Sequence, residues 1–214
     1  MKQAALGFRV HSGWAAAVVV SLEKGSPRVL ARERIHLVET FTYEFRQPYH
    51  SAEKMPFEKA GKFIARVRAE ARQFAYQAIH RLQSDLEKQG YELTRCGLLL
   101  ASGRPLPGLE KILVSHALIH TADGELFREA IVHGCDRCGV KLDSIKEREL
   151  LDLAGKSFRL KPAELLRRVT ELGKPFGSPW SQDEKFATLA AWLALTSRNT
   201  NSHAPWEKRR ATKN

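Results

Sequence analysis

Residues 6–21 constrain the fold more strongly than any other part of the sequence. They hold two apolar runs separated by a short polar segment that ends at Gly13. Because glycine accepts backbone angles that other residues resist, this pattern predicts a strand, a tight turn and a second strand. Residues 28–38 follow a Gly-Ser-Pro turn and alternate in side-chain type, which is typical of a strand with one solvated face. The chain is therefore predicted to begin with three antiparallel strands.

The rest of the sequence predicts an alternation of helices and strands. Residues 40–57 have no clean period and are predicted to form a loop or an arm. Apolar residues then recur every three or four positions over residues 58–89, which indicates a long helix with one buried stripe. The apolar run 96–101 is typical of a strand covered on both faces of a parallel sheet. Further elements are predicted as helices over 109–118 and 123–138, a strand over 140–145, and helices over 147–154, 162–172 and 182–196.

Length and composition favour one domain. With 214 residues, of which 43% are hydrophobic, the chain is long enough for a single α/β domain, which we place at residues 1–197. No apolar run is as long as the about 18 residues that a membrane-spanning helix needs. The first residues are predicted to lead into a strand and do not have the pattern of a secretory signal. Three cysteines do not make a disulfide framework. We therefore expect a soluble, cytoplasmic protein with no membrane partner.

The charge balance favours anionic partners. Lysine and arginine outnumber aspartate and glutamate by 35 to 24, a formal net charge of +11. Nucleic acid is the first partner to consider, because each neutralised phosphate releases counterions. Part of the surplus falls in residues 198–214, which are predicted to form a basic, disordered tail. Basic residues along the long helix are also compatible with an ordinary solvated face, so charge alone does not identify a ligand.

The order of these elements, β-β-β-α-β-α-β-α, resembles the ribonuclease H-like fold, and within it the Holliday-junction resolvases and their uncharacterised relatives. The segment GFRVHSGWA at residues 7–15 is similar to the opening of that family, where glycine, an apolar residue and an aspartate precede a glycine-containing turn. Lysines and glycines within residues 145–166 are similar to its segment before the last helix. The segment DEKFA at residues 183–187, with the small residues after it, resembles the closing helix.

This resemblance implies a particular fold. The expected architecture is an α/β domain with a mixed five-stranded sheet, in which three antiparallel N-terminal strands are followed by parallel strands, flanked by helices. The strand that contains residues 98–101 should then lie at the centre of the sheet. It should run parallel to the strand over residues 6–10 and lie beside it.

The carboxylates that the family uses for catalysis are mostly missing. Those nucleases hold two divalent metal ions about 4 Å apart on a cluster of carboxylates. Here Arg9 stands at the position of the first-strand aspartate, and Ala101 or Ser102 stands near the position of the fourth-strand carboxylate. Phe186 replaces the second aspartate of the last helix, so only Asp183 keeps its chemistry. Since Mg²⁺ needs oxygen ligands and a nearby cation repels it, we expect no metal at this crevice, no cofactor and no two-metal nuclease activity.

Cationic and hydrogen-bonding residues are expected to converge at the same crevice. They come from the first turn, the end of the fourth strand and the last helix: Arg9, His11, Ser12, Ser102, Arg104, Asp183 and Lys185. Such a set suits phosphate or another anion better than a metal ion. The alternative is a structural ion pair between Arg9 and Asp183 around a former metal site. That alternative predicts that the two side chains lie within hydrogen-bonding distance.

A second cluster lies at residues 115–129. His116 and His120 are four positions apart and are followed by Glu125 and Arg128. Two histidines and nearby carboxylates are able to supply metal ligands or an acid–base pair. However, a helix break is predicted near Thr121, next to His120, and a break there would prevent the two rings from facing each other.

The cysteines offer a weaker signal. Cys135 and Cys138 have the spacing of metal or redox pairs, and His133 and Cys96 would complete four ligands. Cys138 precedes Gly139, as at an ordinary helix end. Two partly buried thiols are therefore the favoured interpretation.

Two classes of function remain open from the sequence. The first is a non-catalytic or altered protein that binds nucleic acid or another phosphate-bearing anion. The second is an enzyme acting on a phosphorylated small molecule through the cationic crevice or the histidine cluster. In that case the catalytic candidates are His116, His120, Glu125 and Asp183, with Arg128 as a further ligand-binding candidate.

Overall fold

The computed structural model describes residues 1–101 and 105–197. Its centre is a five-stranded sheet in the order β3-β2-β1-β4-β5. The strands are β1 (Lys2–His11), β2 (Trp14–Glu23), β3 (Ser26–His36), β4 (Tyr91–Leu100) and β5 (Lys141–Lys146). β2 is antiparallel to both β1 and β3, whereas β4 is parallel to both β1 and β5. The predicted mixed sheet is therefore confirmed.

The predicted position of the fourth strand is also confirmed. Leu98 lies opposite Phe8, and Gly97 lies opposite Gly7, in parallel register. β4 has β1 on one side and β5 on the other, so it occupies the interior of the sheet. A nearly continuous apolar run fits this place, because both faces of the strand are covered.

Helices cover both faces of the sheet. Within the described residues they are α1 (Tyr43–Arg46), α2 (Pro48–Ala52), α3 (Phe57–Lys88), α4 (Leu109–Leu113), α5 (His116–Arg137), α6 (Leu150–Phe158), α7 (Pro162–Gly173) and α8 (Gln182–Thr196), with 3₁₀ turns at Glu147–Glu149 and Lys174–Phe176. None of these helices is long and apolar enough to cross a membrane. The predicted basic tail, 198–214, lies outside the described residues.

Two predictions about local structure are wrong. The predicted arm over residues 40–57 contains the two short helices α1 and α2. The predicted break near Thr121 lies instead at Val114 and Ser115, and α5 continues through Gly124. The Thr-Ala-Asp-Gly sequence is typical of a helix start, but Asp123 accepts a hydrogen bond from the Tyr49 backbone N–H at 2.7 Å instead of capping its own helix. Tertiary contacts thus override the local preference.

The two faces of the sheet carry separate cores. Leu6, Phe8 and Leu98 point to the side covered by α3 and α5, whereas Ala5 and Leu99 point to the side covered by α8. This division follows from the period of a strand, which sends successive side chains to opposite faces.

α8 approaches the sheet closely enough for backbone to meet backbone. A Cβ atom added at Gly7 would lie 1.9 Å from the Ala187 carbonyl oxygen, and one added at Gly97 would lie 2.3 Å from that of Ala190. Only glycine permits this approach, because no side chain stands between the elements. The contact fixes the start of α8 next to the end of β1.

Candidate functional site: a charged cluster and a group of histidines

A compact charged cluster lies where β1 ends. It consists of Arg9, His11, Glu147 and Asp183, and we call it the Arg9 cluster. Arg9 donates from Nε and Nη2 to the two carboxylate oxygens of Glu147, at 3.1 and 2.6 Å, and from Nη1 to Asp183 Oδ1 at 2.5 Å. His11 Nε2 lies 2.8 Å from the same Asp183 oxygen. One guanidinium therefore bridges two carboxylates.

Three elements bring these side chains together. Arg9 and His11 are two residues apart on β1, so they lie on the same face of the sheet. Asp183 lies in the first turn of α8, which begins with a capping box between Ser181 and Glu184. Glu147 follows directly after the last residue of β5. The carboxyl ends of parallel strands are the usual place for ligands in open α/β sheets.

The cluster is partly shielded from solvent. The side chains of Arg9 and Asp183 are 20% exposed, and that of Glu147 is 35% exposed. The hydrogen bonds with Glu147 raise the pKa of the Arg9 guanidinium, although burial acts in the opposite direction. The ring of Phe186 lies 5.4 Å from the guanidinium carbon. Arg9 is therefore a permanent cation that is held by charge on one side and by an aromatic ring on another.

The predicted contact between Arg9 and Asp183 is confirmed. The expectation that Asp183 is the only carboxylate beside Arg9 is wrong, because Glu147 binds the same guanidinium through two hydrogen bonds. The sequence contained a usable signal for Glu147, since it follows a strand of the parallel part of the sheet. The same rule predicts Ser102 and Arg104 as site residues, and both lie outside the described residues.

Other predicted site residues lie apart from this cluster. Ser12 lies in the turn between β1 and β2, where its carbonyl accepts a hydrogen bond from Arg46 at 3.4 Å. Lys185 follows Asp183 by two positions in α8, so the two side chains leave the helix on different faces. Arg128 pairs with Glu125 on α5 at 3.1 Å. The structure thus separates the Glu125 and Arg128 pair from the Arg9 cluster.

Alternating aromatic rings and guanidinium groups extend from the cluster. Trp14 stacks on His11 with ring centres 4.4 Å apart. The Arg34 guanidinium lies 3.9 Å from the centre of the Trp14 ring and 5.5 Å from that of Phe41. Arg46 lies 4.4 Å from the Phe41 ring centre. We call Trp14, Arg34, Phe41 and Arg46 the aromatic–arginine ladder.

No sequence motif indicates this ladder. Its members come from β2, β3, α1 and the segment between β3 and α1, and none of these segments has a distinctive spacing. Phe41 is 38% exposed and nearby Tyr43 is 60% exposed, which is unusual for large aromatic side chains. The signal in the sequence is the concentration of aromatic residues beside an arginine in residues 41–46.

The second predicted cluster is reorganised by the continuous helix α5. The rings of His116 and His120 contact each other edge to face, with their planes 79° apart and the two Nε2 atoms 3.0 Å apart. His50 from α2 joins them, with its ring centre 4.4 Å from that of His120. Glu125 is not part of this group, because it pairs with Arg128. The predicted helix break next to His120 is wrong, because α5 is continuous there. His50 is a member that the sequence did not indicate.

The Asp123 carboxylate forms a hydrogen bond with the ring of His50. His50 Nδ1 lies 2.5 Å from Asp123 Oδ2, and both side chains are largely buried, with 9% and 4% of their surface exposed. Burial raises the pKa of the Asp123 carboxyl, against the hydrogen bonds from His50 and Tyr49 that lower it. The pair joins α2 to α5.

The three cysteines are free thiols. Cys96 and Cys135 are buried, and Cys138 is half-buried, with its sulfur 4.0 Å from the Tyr76 carbonyl oxygen. Burial raises the pKa of the Cys96 thiol well above its usual range. Across residues 1–101 and 105–197, the group of potential metal ligands that comes together is His50, His116 and His120, without a cysteine.

Solved structures provide the comparison for this fold. The Thermus thermophilus RuvC structure matches with a TM-score of 0.50 at 10% sequence identity, over 97% of this chain and 96% of that chain. T. thermophilus RuvC in complex with Holliday junction substrate gives a TM-score of 0.49 at 11% identity, with the same coverage. No family model matches the sequence, and no curated protein matches it either.

These matches concern the fold. The chain has the ribonuclease H-like architecture, with a mixed five-stranded sheet between helices and RuvC resolvases as structural neighbours. At 10% identity the comparison does not carry the neighbours' activity over to this chain.

Proposed function

We propose that this protein binds nucleic acid through unpaired bases and does not cleave it by a two-metal mechanism. The observation that carries the proposal is the aromatic–arginine ladder, which begins at the Arg9 cluster. His11 connects the two, since it contacts Asp183 on one side and stacks on Trp14 on the other. The Arg9 cluster is thus continuous with a surface suited to bases and phosphates.

The chemistry of the ladder fits single-stranded nucleic acid. Unstacked bases pack on aromatic rings and on guanidinium planes, and such stacking contributes about 1–3 kcal/mol per base. Arg34 is exposed and lies between Trp14 and Phe41, so its cation is available to phosphate oxygens. The net charge of +11 adds a favourable long-range field.

The Arg9 cluster supports the absence of two-metal cleavage. Two divalent ions about 4 Å apart need several carboxylate oxygens as ligands. Both oxygens of Glu147 and one oxygen of Asp183 already accept hydrogen bonds from Arg9. A metal ion would have to displace a guanidinium that stays charged, so the cluster favours a structural role for these carboxylates.

The alternative of a phosphorylated small molecule in the same crevice is less favoured. Its main expected ligand is Arg9, whose Nε, Nη1 and Nη2 atoms all donate to protein carboxylates. An anion at that point would compete with two negatively charged side chains. Among the described residues, Arg34 and Arg46 of the ladder form no ion pair with a carboxylate.

Fluorescence anisotropy with labelled single-stranded, duplex and four-way-junction DNA tests the proposal. We expect single strands and junctions to bind more tightly than duplex, with an affinity that falls linearly in a log–log plot against salt. Phe41→Ala and Arg34→Gln should weaken binding by about five- to a hundredfold, in line with the stacking energies. Phe57→Ala is the matched control, because Phe57 is also exposed but is not part of the ladder. Equal affinity of the parent and both ladder variants would refute the proposal.

The same substrates test the absence of cleavage. We expect all of them to stay intact with the parent protein in Mg²⁺ or Mn²⁺. Cleavage that is abolished by Asp183→Asn would show that the carboxylates still hold catalytic metal.

A further inference from the structure

We propose that His50, His116 and His120 form a binding site for a first-row divalent transition metal, best matched by Zn²⁺. One ring nitrogen of each histidine lies within 4.8 Å of those of the other two. The three residues come from two helices, α2 and α5, so the grouping is a product of tertiary packing. This inference does not depend on the proposed binding of nucleic acid.

The pair on α5 already has nearly the spacing that a metal requires. Residues four apart on a helix lie on the same face, which places the His116 and His120 rings side by side. Their Nε2 atoms are 3.0 Å apart. Two nitrogens bound tetrahedrally to Zn²⁺ at about 2.05 Å stand roughly 3.3 Å apart, so a small rotation of the two rings is sufficient.

The third histidine is oriented by a carboxylate. Histidines that bind metals commonly donate their second ring N–H to a carboxylate, which fixes the tautomer and strengthens the ligand. Asp123 Oδ2 holds this position at 2.5 Å from His50 Nδ1, and the Tyr49 backbone N–H holds the other Asp123 oxygen. The lone pair of His50 Nε2 is then the one left for a metal ion.

The hydrogen bond between His50 and Asp123 does not by itself explain why the rings of His116 and His120 lie next to His50. His50 and Asp123 satisfy each other and are largely buried. His116 and His120 are nevertheless exposed and converge on the ring of His50, with ring centres 5.4 and 4.4 Å away. A bridging cation gives all three rings a common partner.

The donor set selects the class of metal. Three neutral imidazoles favour Zn²⁺, Co²⁺, Ni²⁺ and Cu²⁺, whereas Mg²⁺ and Ca²⁺ prefer oxygen ligands. Because two of the three rings are exposed, the fourth coordination position faces solvent and takes water or an anion. Binding would tie α2 to α5 and would hold the neighbouring segment that carries Tyr43, whose ring centre lies 6.5 Å from that of His50.

Isothermal titration calorimetry of the chelator-treated full chain with ZnCl₂ tests the site, with Co²⁺ absorption as a spectroscopic check. We expect one Zn²⁺ per chain, a rise in melting temperature with Zn²⁺, and visible Co²⁺ bands of a tetrahedral site. His116→Gln and His120→Gln should abolish all three signals. Both positions are exposed, so these variants should still fold.

Two further variants sharpen the test. Asp123→Asn should keep the stoichiometry but weaken Zn²⁺ binding by about 10- to 100-fold, as expected for a group that supports a ligand. His80→Gln is the matched control, because His80 is an exposed histidine on α3 outside the group. No heat and no stabilisation by Zn²⁺ in the parent would show that His116 and His120 share only a hydrogen bond. Equal Zn²⁺ binding by the parent and His116→Gln would also overturn the inference.

Discussion

Replacing Arg9 with alanine removes the guanidinium that Glu147 and Asp183 share, so both carboxylates lose their hydrogen bonds to that cation. Breaking a buried ion pair from one side costs about 3–5 kcal/mol, because the remaining charge stays desolvated. The Asp183 side chain is 20% exposed and that of Glu147 is 35% exposed, so solvent relieves part of this penalty. We expect a loss of about 2–3 kcal/mol in the free energy of unfolding.

Urea and thermal denaturation measure this loss. For a domain of this size, 1 kcal/mol corresponds to a shift of about 2–4 °C, so the melting temperature should fall by about 5–10 °C. Arg28→Ala is the matched control. Arg28 also donates to a carboxylate, at 2.8 and 3.0 Å to the two oxygens of Glu23, but its side chain is 61% exposed. We expect no measurable shift for that variant.

Arg9→Asp is the sharper perturbation. It places a third carboxylate beside Glu147 and Asp183, so the variant should be less stable than Arg9→Ala in the presence of a chelator. Mn²⁺ should then restore stability, since an ion present at 100 times its dissociation constant stabilises by about 2.7 kcal/mol. The double variant Arg9→Asp/Asp183→Asn should lose most of this recovery. If Arg9→Asp melts like the parent with and without Mn²⁺, the account of the Arg9 cluster is refuted.

Three further predictions concern the fold. In a urea titration, Gly7→Ala should destabilise the protein by about 3 kcal/mol or more, because the new Cβ atom would clash with the Ala187 carbonyl oxygen. Gly61→Ala is the control on helix α3, where the new Cβ atom makes only an ordinary van der Waals contact, and it should stabilise the protein by up to about 1 kcal/mol. Burial raises the pKa of the Cys96 thiol, and Cys135 is also buried. Iodoacetamide at pH 8, followed by intact-mass measurement, should therefore label at most Cys138 in the native protein and all three cysteines after denaturation. Labelling of Cys96 in the native protein would contradict this packing. Burial also raises the pKa of the Tyr49 hydroxyl above its value in the unfolded chain, which is about 10. The parent should therefore lose stability relative to Tyr49→Phe as the pH rises from about 10 towards the pKa of Tyr49 in the folded protein. A difference in stability that does not change with pH would exclude this linkage.

Much of the fold was predictable because its signals are local. The alternation in residues 28–38 and the three- and four-residue spacing in α3 record which face of each element is buried. The resemblance then placed Arg9 beside Asp183, although the two residues are 174 positions apart in the chain. That contact was predictable because a family topology, and not the spacing of residues, supplied the long-range information.

The misplaced helix break has a physical reason. The Thr-Ala-Asp-Gly sequence at residues 121–124 favours a helix start, but the Asp123 side chain binds α2 instead. The free energy of that long-range contact is absent from any local rule. Once α5 is continuous, His116 and His120 lie on the same face of the helix, one turn apart.

The sequence by itself determined the strands, the long helices, the antiparallel start of the sheet and the cation at the end of β1. Periodicity and turn residues carry this information, because each element buries one face whatever covers it. The tertiary structure alone decided that Glu147 joins Arg9, that His50 joins the two histidines of α5, and that arginines and aromatic rings form a ladder. These groups combine side chains from separate elements. The sequence pattern of an element shows which of its faces is buried, but it does not show which other residues cover that face.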